Sequence, residues 1–133
     1  MTYTTQMLEI HHASASDPHT VAAVINALND CAQACMVDID ADLGVSNLSE
    51  MVKCIRLCQH CTDVCATTAR VIGRPAEYDA QVTVPLLEAC IAICKASGDE
   101  CEVHARHHEH CRVCAVASRD CESHCRQLLA TLK

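Results

Sequence analysis

Cysteines recur at helical spacing in four stretches of this chain, and this pattern constrains the fold more than any other feature. Of the 133 residues, 13 are cysteine. The longest series has the spacing i, i+4, i+7, i+11, and its members are Cys54, Cys58, Cys61 and Cys65. At about 100° per residue, these positions fall on one face of a helix. Such a face normally carries apolar side chains and becomes core. We therefore expect helices whose core-facing stripes are made of thiols.

The remaining composition favours long helices around a core of small side chains. The chain has 3 glycines and 3 prolines, which leaves little material for turns, and it has no Phe or Trp. A length of this order suits one domain. We predict an all-α fold, an antiparallel four-helix bundle with a cysteine-lined core. Residues 17–133 would form the bundle, and residues 1–16 an N-terminal arm or a short helix.

Capping signals predict where the first two long helices begin and end. Asp17 followed by Pro18 is a typical helix start. This helix is expected to end at Gly44 in a left-handed cap. Ser46 or Ser49 is then expected to cap the second helix, which would stop at a Gly-x-Pro signal near residue 73.

The third and fourth helices are predicted from the same kinds of signal. The third should start near Thr83, with Pro85 in its first turn. It should continue through Gly98, because the cysteines on either side of that glycine stay in phase. The turn would then lie at residues 105–108, and the fourth helix would end near Leu132.

A core lined by thiols is suited to a soft metal ion. A sulfur–metal–sulfur bridge spans about 4.6 Å when each bond is about 2.3 Å, so one ion can link cysteines one helical turn apart. Cu(I), which accepts two ligands, fits this geometry best, and several ions would bind per chain. The predicted ligands are all the cysteines: Cys31, Cys35, Cys54, Cys58, Cys61, Cys65, Cys90, Cys94, Cys101, Cys111, Cys114, Cys121 and Cys125.

Other roles for so many cysteines stay open. Zinc or general heavy-metal sequestration is one alternative, although zinc needs four ligands around each ion. A thiol redox reservoir is another. An iron–sulfur cluster is disfavoured because its four cysteines must converge on one point. An odd number of cysteines excludes complete internal disulfide pairing.

The repeated C-x3-C and C-x2-C spacing over residues 18–132 resembles that of the bacterial four-helix copper storage proteins, in particular their cytosolic branch. The resemblance implies a homotetramer of bundles in which cysteine pairs bind many Cu(I) ions reversibly. It implies reversible storage and not catalysis. The partners that we expect are copper ions and a copper chaperone. The cytosolic branch tends to carry more cysteines. In this chain Ser97 and Ser118 occupy two of the in-phase positions.

In an antiparallel bundle of this topology, both short turns lie at the same end. The polar residues in and near these turns therefore collect at that end. We predict that this end is the opening for copper. Imidazole and thioether groups are suitable transient ligands for Cu(I). The predicted accessory ligands are His104, His107, His108, Met51 and Asp38. The opposite end collects aliphatic side chains, namely Val24, Leu28, Ile72, Leu86, Leu87, Leu128 and Leu129.

Charge and hydropathy narrow the remaining functions. The net charge is −7, and this argues against a nucleic-acid partner, which requires basic patches. We find no signal-peptide pattern and no apolar run of about 18 residues, so we expect a cytoplasmic protein without a membrane partner. No nucleophile, base and oxyanion site assembles in the sequence, and we therefore predict no enzymatic activity.

Overall fold

The computed structural model describes residues 2–11 and 16–132, which form one short and four long α-helices. The helices are α1 Tyr3–His11, α2 Pro18–Asp42, α3 Val52–Ile72, α4 Ala80–His104 and α5 Glu109–Leu132. A 3₁₀ turn, Leu48–Met51, precedes α3. The predicted all-α fold is confirmed, and it includes the short N-terminal helix.

The four long helices form an up-down-up-down bundle. Both α2 and α4 pack against α3 and against α5, so α2 and α4 face each other diagonally across the core. The α2–α3 and α4–α5 turns lie at one end of the bundle, and the α3–α4 connection lies at the other. This topology brings one face of every long helix into a common interior.

The start of α2 is as predicted, whereas its end is not. The Asp17 side chain accepts a hydrogen bond of 3.0 Å from the backbone N–H of Thr20, and Pro18 is the first helical residue. Leu43 ends the helix with right-handed dihedral angles. Gly44 does not form the left-handed cap, since no described glycine has a positive φ. The chain turns here through successive tight turns instead.

The predicted serine cap of α3 is also wrong. The 3₁₀ turn runs directly into α3, with Met51 at the N-cap position and no side-chain capping bond. The N–H of Glu50 donates to the carbonyl of Asn47 over 3.0 Å. The turn therefore uses backbone groups for what Ser46 or Ser49 was expected to do.

Helix α4 begins earlier than the predicted Thr83. Asp79 is its N-cap, and the Asp79 side chain accepts a hydrogen bond of 2.9 Å from the N–H of Gln81. Aspartate is a strong N-cap residue, and this cap places Pro85 inside the helix on its exposed side. The proline ring is tolerated there because that face contacts solvent.

Gly98 does not interrupt α4, as predicted, and the packing of α5 explains why a glycine is present. A Cβ added at Gly98 would lie 3.1 Å from Nη1 of Arg119. The Arg119 guanidinium crosses this point and bonds to Asp99 over 2.6 Å and to Glu102 over 3.0 Å. The glycine thus makes room for an arginine that links α5 to α4.

The aliphatic end is closed as predicted. Buried side chains from all four long helices meet there: Val24, Leu28, Ile72, Leu87 and Leu128. Leu86 and Leu129 are half-buried. A cavity of about 230 Å³ lies under the α3–α4 connection, and no cysteine or histidine lines it. This cavity therefore offers no sulfur or imidazole ligand to a soft ion.

Two helices are more apolar than the sequence analysis anticipated. By length and composition alone, α2 and α4 could cross a membrane. Both direct their cysteines into the bundle interior. Other apolar residues of these helices are exposed, namely Met36, Val37, Val82 and Val103.

Candidate metal site

All thirteen cysteines lie in the interior of the bundle as free thiols. None is more than 1% exposed. The cysteine stripes of α2, α3, α4 and α5 face one another, because each series keeps the helical phase that the sequence predicts. The thiols therefore line one continuous core.

Neighbouring sulfur atoms are close enough for single ions to bridge them. Sγ–Sγ distances run from 3.6 Å, between Cys65 and Cys94, to 4.0 Å, between Cys61 and Cys94. Cys61 and Cys65, one turn apart on α3, are separated by 3.7 Å. A linear bridge needs about 4.6 Å, so small rotamer changes would admit an ion.

The thiols also form groups in which all candidate ligand atoms lie within 4.8 Å of one another. One group has four cysteines. Two groups of three share a member with it, and a further group of three shares Cys35 with one of those two. They include Cys31/Cys65/Cys94/Cys121, Cys31/Cys35/Cys61, Cys35/Cys58/Cys114 and Cys90/Cys121/Cys125. Shared membership means that one thiolate can serve two ions.

The two in-phase serines are fully buried among the thiols. Ser97 Oγ lies 3.6 Å from Cys58 Sγ, and Ser118 Oγ lies 3.8 Å from Cys31 Sγ. Both hydroxyls thus occupy positions that a thiol would otherwise fill. Hydroxyl oxygen is a poor ligand for a soft ion, so each serine interrupts the thiol lining.

At the polar end, carboxylates extend the thiol lining. Asp38 Oδ2 lies 3.3 Å from Cys58 Sγ and 3.7 Å from Cys54 Sγ. With Cys101, these residues form a buried group that could hold a metal. Met51 is fully buried in the same core. The structure therefore brings Asp38 into direct contact with the thiols.

Asp42 and His110 also belong to this end, although neither was among the predicted ligands. Asp42 Oδ1 lies 2.9 Å from His110 Nε2 and 3.6 Å from Cys111 Sγ. A sequence signal for Asp42 exists, because Asp38 and Asp42 continue the series of Cys31 and Cys35 at i+7 and i+11. Nothing in the local sequence pairs His110 with a residue 68 positions away.

The three predicted histidines differ in their surroundings. His104 Nε2 lies 3.0 Å from Glu100 Oε2, and both side chains are 13% exposed. His108 is half-buried, and its Nε2 is buried without a hydrogen-bond partner, as are Asp38 Oδ1 and Asp42 Oδ2. His107 is exposed. The structure thus brings His108 to the polar end of the core and leaves His107 at the surface.

Burial and charge set the protonation of this end. Burial, followed by the negative charges of Cys58 and Asp42, raises the pKa of Asp38 from 3.8 to about 8. Burial and the Asp38 and Asp42 carboxylates also raise the pKa of the Cys111 thiol. Hydrogen bonding from the Cys101 thiol lowers the pKa of Cys58.

The family of this chain follows from comparison with known proteins. The family described as Csp, copper storage protein, matches residues 17–130. The chain belongs to the copper storage protein family. The matched residues cover the whole bundle and every cysteine of the core.

Two solved structures of a copper storage protein closely resemble this bundle. One is Ccsp from Streptomyces lividans loaded with 10 copper equivalents, at 44% identity and a TM-score of 0.92, covering 96% of this chain and 98% of that one. The other is a cytosolic copper storage protein from S. lividans with five coppers, at 48% identity and a TM-score of 0.83, covering 84% and 93%. The cysteine-rich protein YhjQ of Bacillus subtilis is 33% identical over 108 residues, 81% of this chain and 94% of that protein.

Proposed function

We propose that this copper storage family member stores and buffers Cu(I) in the cytosol, binding several ions per chain through the thiolates of the bundle core. The observation that carries this proposal is the connected series of buried thiols with Sγ–Sγ distances of 3.6 to 4.0 Å. The cytosolic location and the multiple coppers of the similar S. lividans protein support it.

Charge balance explains why such a core is stable both without metal and when it is loaded with Cu(I). Thirteen buried thiolates would repel one another strongly, so the metal-free core holds mostly neutral thiols. Each Cu(I) that binds displaces one proton. The filled core is then close to neutral, and loading needs no large change of the bundle.

Zinc sequestration is the second candidate, and one observation favours it. Cys31, Cys65, Cys94 and Cys121 come from all four long helices, and their sulfurs lie within 4.8 Å of one another. Four thiolates are a suitable zinc set. The three-cysteine groups are less suited to tetrahedral zinc, and they favour Cu(I), which accepts fewer ligands.

A titration of the reduced protein under anaerobic conditions tests the choice. Cu(I) is added in the presence of a colour-forming Cu(I) chelator, and a parallel series uses zinc. Storage predicts that several equivalents of Cu(I) are withheld from the chelator and that Cu(I) displaces bound zinc. Retention of one zinc in the presence of excess Cu(I), or uptake of only one copper, would contradict the proposal.

We further propose that copper enters at the polar end, through side chains that meet it before the deep thiols do. Asp38, Met51, His104, His107 and His108 would be transient ligands there. Support comes from the unpartnered buried nitrogen of His108 and the contact of Asp38 with two thiols. The buried aliphatic side chains at the opposite end also support this route.

We also propose that the chain forms a homotetramer and receives copper from a chaperone, and that it performs no catalysis. Exposed apolar side chains on α1 support self-association: Tyr3, Met7 and Ile10 share one outward face. Light scattering coupled to gel filtration would measure the assembly. A monomer at micromolar concentration would contradict the tetramer without affecting the storage proposal.

A further inference from the structure

The thiols of the core separate into two groups along the bundle. The mouth group, nearest the polar end, comprises Cys54, Cys58, Cys101, Cys111 and Cys114. The deep group, nearest the aliphatic end, comprises Cys31, Cys61, Cys65, Cys90, Cys94, Cys121 and Cys125. Cys35 on α2 belongs to neither by position, because it lies between the two levels.

Close sulfur contacts stay within each group. In the deep group, Cys65 lies 3.8 Å from Cys90 and 3.9 Å from Cys121. In the mouth group, Cys101 lies 3.8 Å from both Cys54 and Cys58. Among the sulfur–sulfur hydrogen bonds of the residues that the structure describes, none joins a mouth cysteine to a deep one.

Cys35 lies within bridging distance of both groups. Its Sγ is within 4.8 Å of Cys31 and Cys61 in the deep group. It is also within 4.8 Å of Cys58 and Cys114 in the mouth group, and the distance to Cys114 is 3.7 Å. A copper ion held by Cys35 can therefore exchange its second ligand in either direction.

The two buried serines interrupt the cysteine series of α4 and α5. Ser97 on α4 contacts Cys58, a mouth cysteine, and Ser118 on α5 contacts Cys31, a deep one. A thiol at either position would give α4 or α5 its own ladder of ligands between the groups. Because hydroxyls do not hold Cu(I) well, the ladder is broken on these two helices.

We propose that Cys35 is a relay ligand through which Cu(I) passes between the mouth group and the deep group, and that Ser97 and Ser118 leave α4 and α5 without a relay thiol of their own. The inference rests on the proposed storage of Cu(I). It assigns different roles to chemically identical thiols. Most cysteines bind stored copper, and Cys35 also transfers copper between the two groups.

The transfer is a ligand exchange that leaves the copper as Cu(I) throughout. The ion starts on the Cys58 and Cys114 thiolates. A bond to Cys35 forms as that thiol loses its proton, and the bond to Cys58 breaks as that sulfur takes a proton up. A bond to Cys31 or Cys61 replaces the bond to Cys114 in the same way, and a second deep thiol finally replaces Cys35, which recovers its proton. The number of protons and the oxidation state are unchanged.

The test is a rate measurement on Cys35→Ser under anaerobic, reducing conditions. Stopped-flow absorbance follows formation of copper–thiolate bonds, and a Cu(I) chelator in excess follows removal from the loaded protein. We expect Cys35→Ser to fill in two phases. The rate constant of the slow phase should be lower than that of the parent by roughly tenfold or more, which is equivalent to about 1.4 kcal/mol of added barrier. The amplitude of the slow phase should correspond to the deep group.

Cys125→Ser and Cys54→Ser are the matched controls, because each also removes one buried thiol. They should lose a similar amount of copper at equilibrium but fill without the slow phase. Circular dichroism verifies that each variant is folded, and Cys35→Ala repeats the test with an apolar side chain.

A second variant approaches the same question by gain of function. Ser118→Cys, added to Cys35→Ser, should remove the slow phase, because it restores a thiol between Cys114 and Cys121 on α5. Ser123→Cys, on the exposed side of α5, should not. A parent that binds several Cu(I) ions while Cys35→Ser fills as fast as the controls would overturn the relay and leave storage intact. A parent that binds no Cu(I) would overturn storage itself.

Discussion

Cys58 Sγ lies 3.3 Å from Asp38 Oδ2, inside the bundle, where α3 faces α2. The two groups are both buried, and each is acidic, so one proton between them is favoured over two negative charges. Copper binding at Cys58 would replace that proton with a cation. The carboxylate is thus placed where it can stabilise an arriving positive charge.

The same pair gives the metal-free protein a pH-dependent stability. The pKa of Asp38 is about 8 in the folded state against 3.8 ordinarily. The folded state therefore holds this proton more tightly than the unfolded state, and the contribution is present at pH 4 and lost as the pH rises through 8. Asp38→Asn should be more stable than the parent at pH 8 by about 1–3 kcal/mol, and the difference should shrink toward pH 5.

Thermal unfolding followed by circular dichroism, with reductant and chelator present, checks this. Asp40→Asn is the control, because Asp40 is exposed on the same helix. The prediction fails if the two variants show the same dependence on pH.

We predict that the metal-free, reduced protein is already a helical bundle. The aliphatic end supplies an apolar core, and neutral thiols pack as small hydrophobic groups. Leu28 is fully buried, so Leu28→Ala should destabilise the metal-free protein by about 2–5 kcal/mol. Val113→Ala, at a half-exposed position, should have little effect. A random-coil spectrum that becomes helical only with Cu(I) would contradict this prediction.

Replacing the buried serines should raise capacity. Ser97→Cys and Ser118→Cys each add a thiol beside an existing one, at sites where the hydroxyl is already within 4 Å of a cysteine sulfur. We expect each variant to hold about one more Cu(I) against the chelator, since a bridging thiolate adds roughly one site. Ser123→Cys, exposed on α5, serves as the control. Equal Cu(I) loading of all variants and the parent would contradict the proposal that thiols at these core positions bind copper.

Replacing His104 and His108 together should alter the rate of copper uptake or removal and leave capacity nearly unchanged. On the proposed entry route the histidines meet the ion first, and the deep thiolates would set the affinity. His60→Ala, on the exposed side of α3, is the control. Identical stopped-flow traces for the double variant and the parent would place the opening elsewhere.

Periodicity predicted the helices and their inward faces correctly. The helical repeat alone places the cysteines of each helix on one face, and that face is the one that packs into the core. The in-phase cysteines around Gly98 also correctly predicted an unbroken α4. The cause of that glycine was not predictable, because Arg119 reaches it from another helix.

Features that depend on several segments were predicted less well. The predicted helix caps at Gly44 and at Ser46 or Ser49 were wrong, because hydrogen bonds between backbone groups form the turn between α2 and α3. The start of α4 was placed too late because Thr83 was preferred over the better cap, Asp79. The pairing of Asp42 with His110 requires the antiparallel turns to meet, and local patterns do not encode it.

The closed aliphatic end has a consequence for how the contents of the bundle would be released. A compartment that fills and empties through one opening behaves as a stack, in which the last ion to arrive is the first to leave. Copper bound near the carboxylates would be transferred to a recipient first. Copper bound beside Leu28 and Leu87 would become available only after the ions nearer the opening had left. We therefore expect a pulse of isotopically labelled copper to leave a preloaded bundle before the unlabelled ions beneath it.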